Sequence, residues 1–309
     1  MSLVHYTQCP ICGSADIKNV LSAKDNTVSK ETFAIAECNS CSLRFTQDVP
    51  DAASIAPYYK SEDYISHTNT SKGLINGLYQ WVRKRTLKKK RRLVQRTTGM
   101  GKGYILDLGS GTGAFAGEML LHGWYVTGLE PDEGARQVAK KEYNVELKDI
   151  DQFFQLAPTS FDAITLWHVL EHVHDLSPYI QQLKTLLKEK GKLIIAVPNY
   201  TSLDAAIYKE HWAAYDVPRH LYHFSPRSMQ VLMEKHGLTI EKYKPMWYDS
   251  FYISMLSSKY KNGKTKLIPS FFNGFRSNMK AMGDVRKCSS VIYIASPSPS
   301  AGGVLDPAI

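Results

Sequence analysis

Two groups of residues in this 309-residue sequence have the types and spacing to do chemistry. The first is ILDLGSGTGAF, residues 105–115. There Gly109, Gly111 and Gly113 alternate with Ser110 and Thr112 behind an apolar run, and Asp107 precedes them by two residues. Glycines so spaced let a backbone turn sharply and come close to a ligand. The second group is a pair of CxxC turns, Cys9–Cys12 and Cys38–Cys41, with 25 residues between them. Paired CxxC turns converge four thiolates on one tetrahedral Zn²⁺, and a site with all four ligands from protein is structural. Two disulfides or a redox pair are the alternatives. Both fit less well with MSLVHYTQCP, which lacks the basic and then apolar pattern of a secretory leader. Cys288, alone before an apolar stretch, reads as a core thiol.

GSGTGA satisfies a dinucleotide fingerprint if Ala114 fills its last place. Asp107 opposes that reading, because a pyrophosphate over the loop would meet a carboxylate of the same sign. A ligand with a cationic amino group suits Asp107, and S-adenosylmethionine is such a ligand. Glu130, 21 residues after Gly109, stands where an acid can take ribose hydroxyls.

WHVLEHVHD follows further along. On a helix His168, Glu171 and His172 would share one face. As text, HVLEH is the pattern of inverted zinc proteases, but its place right after a buried strand beside a glycine loop argues against that. The residues themselves leave two readings: a general base for a substrate hydroxyl, or groups that only shape the pocket. The loop HWAAYDVPRHLYHFS, residues 211–225, brings His211, Tyr215, Arg219, His220 and His223 together. Loops in that position commonly form an acceptor pocket, where Arg219 suits an anion and the rings suit a sugar or an aromatic. A packed cover is the alternative.

These groups need elements to hold them. Short strands at 15–20 and 31–46 flank the cysteine turns, and a helical pattern covers 72–97. After Gly99 strands alternate with helices: strands at 104–109, 124–130, 145–147, 161–167, 192–198, 238–244 and 290–295. Helices are expected at 113–122 and 132–143, then from Ser177-Pro178 to Gly191 and from Ser225-Pro226 to Gly237. The implied fold is α/β: a doubly wound, seven-stranded, mostly parallel sheet of the Rossmann-like kind behind a small N-terminal zinc ribbon. The segments are a ribbon at 1–48, a linker and basic helix at 49–98, a catalytic domain at 99–295 and a disordered tail at 296–309. An aromatic, partly helical insertion fills 245–287.

ILDLGSGTG followed by GLEPD resembles the first two motifs of class I SAM-dependent methyltransferases. With FDAITLWHVLEHVHD, GKLIIAVPN, DVPRHLYHFSP and the N-terminal CxxC pairs, the sequence is similar to the type-23 domain group over roughly 98–295. The resemblance implies S-adenosyl-L-methionine as cofactor. Asp107, Gly109, Ser110, Gly111 and Gly113 would line its methionine part, with Glu130 on ribose, Asp149 and Ile150 near adenine, and Trp167 with His168 closing over it. It also implies a small or carrier-linked acceptor, such as a sugar hydroxyl or carbon in surface-glycan synthesis, or a quinone-type ring hydroxyl. In ubiquinone-biosynthesis relatives, carboxylate and histidine groups of this stretch hold a divalent ion, and His168 stands here where those carry an acid.

The net charge of +9 comes from residues 83–96, which hold nine Lys or Arg and no acid. A solvated helix face, an anionic membrane leaflet and RNA are its three readings. Strand four does not end in the Asn/Asp-Pro-Pro-Tyr of base methyltransferases, so nucleic acid is the least expected. No apolar run approaches the roughly 20 residues that span a bilayer, and the protein is expected in the cytoplasm.

Overall fold

The computed structural model describes residues 2–60 and 74–299, with the side chains of 74–81 left aside. Residues 72–73 of the expected helix and 300–309 of the expected tail lie outside them. The N-terminal strands are β1 (Leu3–Val4), β2 (Ile17–Lys24), β3 (Thr32–Cys38), β4 (Arg44–Thr46) and β5 (Val49–Pro50). Helix α1 (Leu74–Thr98) leads into β6 (Tyr104–Leu108), α2 (Ala114–Leu121), β7 (Tyr125–Leu129), α3 (Glu133–Tyr143), β8 (Phe161–Trp167), α4 (Leu176–Leu186) and β9 (Leu187–Pro198). The chain continues through α5 (Leu203–Tyr208), β10 (Tyr222–His223), α6 (Pro226–Lys235), β11 (Leu238–Pro245), α7 (Asp249–Asn262), α8 (Leu267–Gly283) and β12 (Ser290–Pro297).

The central sheet has the order β11-β12-β9-β8-β6-β7. Strands β7, β6, β8 and β9 are parallel, and β12 is antiparallel to both β9 and β11. From β6 the chain goes to β7 on one side and then crosses to β8 on the other. That reversal opens a crevice at the carboxyl ends of β6 and β8, where doubly wound sheets take ligands. The expected strand at 145–147 does not form. Val145 and Leu147 instead bury themselves against Ala116 and Ala139, and one bridge joins Lys148 to Leu129. Asp149 then caps a 3₁₀ turn over Ile150–Gln155, which carries the chain off the sheet edge.

The helix expected to run to Gly191 ends at Leu186, and LKEKG becomes the bulged start of β9. Leu187 pairs with Phe161 there, and a Cβ on Gly191 would lie 2.9 Å from the Phe161 carbonyl. At the other end, Ser296 and Pro297 belong to β12, and the Ser298 N–H donates to Gly237 O at 2.9 Å. The first residues of the expected disordered tail are therefore strand, because β11 offers them a paired edge.

The cysteine-bearing segment does not stand apart. Strand β4 pairs with β10, Tyr222 opposite Phe45 and His223 opposite Arg44, so the sheet β10-β4-β3-β2 takes its last strand from the 211–225 loop region. Ile11, Leu43 and Phe45 share one continuous core with Leu221, Phe224 and the central-sheet leucines. A segment this short has little interior of its own, and burying its apolar side against the larger body supplies one. Helix α1 is anchored similarly: Val94 is fully buried among Ile105, Phe115, Met119 and Trp124, and Arg91 pairs with Glu118 at 2.8 Å.

Candidate active site

Asp107 ends β6 inside the fold, 2% exposed, and its Oδ1 accepts from the Thr165 hydroxyl of β8 at 2.7 Å. Burial raises its pKa to about 6, against the pull of Thr165 and the Lys90 ammonium. Beyond it the backbone turns through Gly109 (φ 62°), Gly111 (φ 53°) and Gly113 (φ 77°), a left-handed region that side-chain-bearing residues disfavour. Two of these glycines answer to packing as well. A Cβ on Gly109 would meet Val169 at 2.5 Å, and one on Gly113 would meet Ala139 at 2.5 Å. Gly111 faces open space, so only its backbone conformation requires glycine.

Ser110 donates to Asp107 O at 2.8 Å and closes the turn. Glu130 directly follows β7 and accepts from Gly111 N–H at 2.7 Å and Asp132 N–H at 3.1 Å, so one carboxylate fixes the loop from across the crevice. Burial pushes its pKa up. Each of its oxygens retains acceptor capacity. The carboxylate of Asp149 is engaged by Arg136 at 2.8 Å and by Asp151 N–H, while Ile150 packs against the core. Trp167 lies edge-on to Phe115, and its buried Nε1 has no partner among the described residues.

Lys90 was hidden in the basic run. From the inner face of α1 it sets its ammonium 4.3 Å from the centre of the Trp167 ring. Burial lowers its pKa to about 8, opposed by Asp107 and Asp249. Leu87, Lys90, Arg91 and Val94 follow the i, i+3, i+4, i+7 rule, so the phase of the two apolar residues pointed Lys90 inward. A buried acid at one strand end, a second acid at the next and an open glycine between them suit S-adenosylmethionine: ammonium at Asp107, ribose hydroxyls at Glu130, backbone contact at Gly111.

The histidine motif is not helical at its start. His168 has φ 59° and donates its N–H to Ala196 O, and only Leu170–His172 form a 3₁₀ turn. The contact of Val169 with Gly109 makes this kink the price of packing motif against glycine loop. His168 Nδ1 is 3.4 Å from Glu171 Oε1, and its Nε2 is 3.1 Å from Asp249 Oδ2 at the start of α7. Burial alone would lower the His168 pKa, but the two carboxylates outweigh it and lift it to about 10. His168 is therefore an imidazolium at neutral pH and no base, a correction to one reading of the motif.

His172 is the opposite case. Burial, helped by His220, lowers its pKa to about 4. Its Nδ1 lies 3.0 Å from Arg219 O and 3.1 Å from the Tyr59 hydroxyl. A carbonyl only accepts, so Nδ1 carries the proton and Nε2 the lone pair. His220 Nδ1 likewise donates to Ala214 O at 2.8 Å. Glu171 is fully buried, yet neither of its oxygens accepts a hydrogen bond among the described residues. Ligand atoms of Glu171, His172 and His220 all lie within 4.8 Å of one another. Two imidazoles and a carboxylate whose oxygens accept no hydrogen bond form a donor set that a divalent cation accepts.

The rest of the 211–225 loop is cover rather than pocket. Arg219 is 1% exposed, and its guanidinium binds Asp216 at 2.6 and 3.0 Å, Asp25 at 3.0 Å and Tyr58 O at 2.8 Å. It has no reach left for a substrate anion. Tyr215 accepts from Arg44 at 2.9 Å, and His223 donates Nε2–H to Thr46, whose hydroxyl is itself donated to His220 O. Buried polar groups take whatever partners are near, and here the partners are on the cysteine-bearing sheet. His211 stays at the surface beside Glu210 at 3.5 Å, away from the cluster. Of the five loop residues, His220 alone brings a side-chain ligand atom to Glu171 and His172. No local motif announces Asp249, Asp25 or Tyr59, which reach these groups from far along the chain.

The four cysteines meet as their spacing requires. Sγ atoms of Cys9 and Cys41 are 3.5 Å apart, those of Cys12 and Cys38 also 3.5 Å, and all four lie within 4.8 Å. None is in a disulfide. Tetrahedral Zn–S bonds of about 2.3 Å place sulfurs at such separations.

A profile of the methyltransferase domain, type 23, matches residues 80–243, over half of the chain. The human mitochondrial ubiquinone biosynthesis O-methyltransferase is 27% identical over 164 residues, covering 48% of this chain and 44% of that protein. The enzyme of the same name from Histophilus somni is 33% identical over 118 residues, or 35% of this chain and 50% of its own. The chain thus spans about half the length of these curated relatives. Among solved structures, the magnesium protoporphyrin IX methyltransferase of Synechocystis, with bound S-adenosylhomocysteine, superposes with a TM-score of 0.51 at 14% identity. It covers 78% of this chain and 97% of its own, and it shows the shared fold. With the glycine loop, its two acids and the matched domain together, the chain belongs to the methyltransferase domain family and carries an S-adenosylmethionine-dependent methyltransferase domain.

Proposed function

We propose that this enzyme methylates a hydroxyl of a small or carrier-linked acceptor held at Glu171, His172 and His220. The fully buried carboxylate of Glu171, ion-paired with His168 at 3.4 Å but accepting no hydrogen bond among the described residues, carries this reading together with the nearby imidazoles of His172 and His220. Such a group is costly to leave unsatisfied and gains a partner when an acceptor hydroxyl or a cation arrives. A divalent cation held by Glu171 and the Nε2 atoms of His172 and His220 would acidify a bound hydroxyl. The sulfonium is an activated donor, so most of the work left to the chain is alignment of oxygen, methyl and sulfur. With no cation there, the free lone pair of His172 Nε2 receives the hydroxyl proton; with a cation bound, that nitrogen is a ligand and the proton passes to solvent. His168, held cationic by Asp249 and Glu171, keeps Glu171 ionised and oriented.

The acceptor class most favoured is a quinone-type ring hydroxyl, because the similar proteins are named for ubiquinone biosynthesis O-methylation. A sugar hydroxyl is the competing class. Its support from the loop aromatics and Arg219 falls away now that these are engaged internally. Cys9, Cys12, Cys38 and Cys41 we assign to structural zinc, on the convergence of four reduced thiols.

Calorimetric titration with S-adenosylhomocysteine, followed by methyl transfer to a panel of catechols, glycosides and nucleosides, tests the reading. Transfer to catechols, with a Glu171→Gln variant slowed at least about a hundredfold at unchanged cofactor affinity, is expected. Transfer only to glycosides would move the acceptor to the competing class. An active Glu171→Gln variant would remove the proposed site.

A further inference from the structure

Helix α8 is inside out. Ser270, Gly274, Ser277 and Ala281 are its buried residues, whereas Leu267, Ile268, Phe271, Phe272, Phe275 and Met279 are exposed. Ile268 is 72% and Phe272 59% accessible. At about 100° per residue the exposed apolar residues, with Met282, fill a stripe roughly 140° wide. A surface helix of a soluble protein ordinarily turns such a stripe toward the core and its small or polar residues outward.

Its neighbour α7 follows the same rule, facing inward with Ser250, Ile253, Ser254, Ser257 and Ser258. The two helices meet through these small residues: a Cβ on Gly274 would lie 3.0 Å from Phe251 Cα and 3.0 Å from Ser250 O. Ser277 and Asn278 tie α8 down through bonds of 2.6 Å to Asp204 and 2.8 Å to Trp247 O. Close small-residue contact with large apolar groups outside is how helices associate in lipid, where burying apolar surface between them gains nothing.

Charge selects the occupant. Between Asp249 and Asp284 there is no acidic residue, and Lys259, Lys261, Lys264, Lys266, Arg276 and Lys280 are spread along the hairpin. Lys89 of the basic helix reaches the hairpin's root, its ammonium 3.4 Å from the Tyr248 hydroxyl. No described helix is long and apolar enough to cross a membrane, so α8 would lie in the interface rather than span it.

We propose that the α7–α8 hairpin docks this enzyme on an anionic lipid bilayer, with the apolar stripe of α8 seated among the headgroups and the surrounding lysines on lipid phosphates. Asp249, the first residue of α7, pairs with His168, so the same hairpin roots in the active site. Docking brings that site to acceptors carried in the membrane. The proposal is independent of which acceptor is methylated.

The test is co-sedimentation of the full chain with vesicles of phosphatidylglycerol and phosphatidylcholine, against vesicles of phosphatidylcholine alone. Binding to the anionic vesicles is expected, weakened by salt and reduced at least about tenfold in Phe271→Ser/Phe272→Ser. Leu121→Ser, at an exposed leucine outside the hairpin, should bind like wild type. S-adenosylhomocysteine titration of both variants checks that they are folded. No vesicle binding by wild type, or undiminished binding by the double variant, overturns the proposal. So does a wild-type dimer in sedimentation that the double variant converts to monomer, since α8 would then cover a second copy of the chain.

Discussion

The cofactor-side groups, Asp107 to Glu130, come from one strand–loop–helix–strand unit held largely by local bonds through Ser110 and Gly111, with Thr165 of β8 on the Asp107 carboxylate. The cluster proposed for the acceptor, Glu171, His172 and His220, is assembled from afar. His172 rests on Arg219 O and Tyr59, His220 on Ala214 and Thr46, and Arg219 on Asp25. The first arrangement suits a ligand shared by a whole family, since local geometry can be kept while all else varies. On the proposed acceptor site, the second would tie acceptor geometry to the cysteine-bearing sheet, which would then support the site without touching the substrate.

The sharpest way to break this comparison is to remove the zinc proposed for the cysteine cluster. Structural zinc contributes about 10–16 kcal/mol in small domains. Chelation, or Cys12→Ser with Cys38→Ser, is expected to abolish transfer while S-adenosylhomocysteine affinity changes by less than about tenfold. Equal loss of both would show that the two sides are not separable. A smaller effect is expected at Arg219→Ala, which leaves Asp25 and Asp216 buried without their cation. Breaking such a pair costs about 3–5 kcal/mol, read as a lowered melting temperature with transfer more damaged than cofactor binding.

On the cofactor side, Asp107→Ala should cost about 2–3 kcal/mol of binding, roughly thirty- to a hundredfold in the Kd for S-adenosylhomocysteine, with little change in melting temperature. The raised pKa of Asp107, about 6, adds a pH signature. Its protonated form cannot oppose an ammonium, so affinity should fall as pH drops through 6 and stay flat in Asp107→Asn. The smallest effect concerns His168. Its folded pKa of about 10 lies above the ordinary value near 6.5, so its stabilising contribution is complete below pH 6.5 and disappears as pH rises toward 10. The melting temperature of wild type should decline over that window, and His168→Gln should lack that part of the decline.

The glycine loop, its acids and the cysteine turns were legible because each depends on spacing within a short stretch. So were most strands of the sheet, though LKEKG read as helix until pairing with Phe161 turned it into strand. Partnership over long distances was not legible. Arg219 looks like an anion receptor until Asp25, just past the end of β2, is placed beside it. Asp249 carries no motif, and its pairing with His168 inverts the expected protonation of that residue. Lys90 is intermediate: composition hid it, but the helical phase of Leu87 and Val94 exposed it.

The pairing of β4 with β10 also has a consequence in time. Thr46 and its partner His223 are 177 residues apart. At about 5–20 residues per second of synthesis, a strand waiting that long for its neighbour stands open for roughly ten to thirty-five seconds. During that interval the nascent cysteine segment presents an unpaired edge and an uncovered apolar side holding Leu43 and Phe45. Early metal capture by the cysteines would hold the segment in register through the wait.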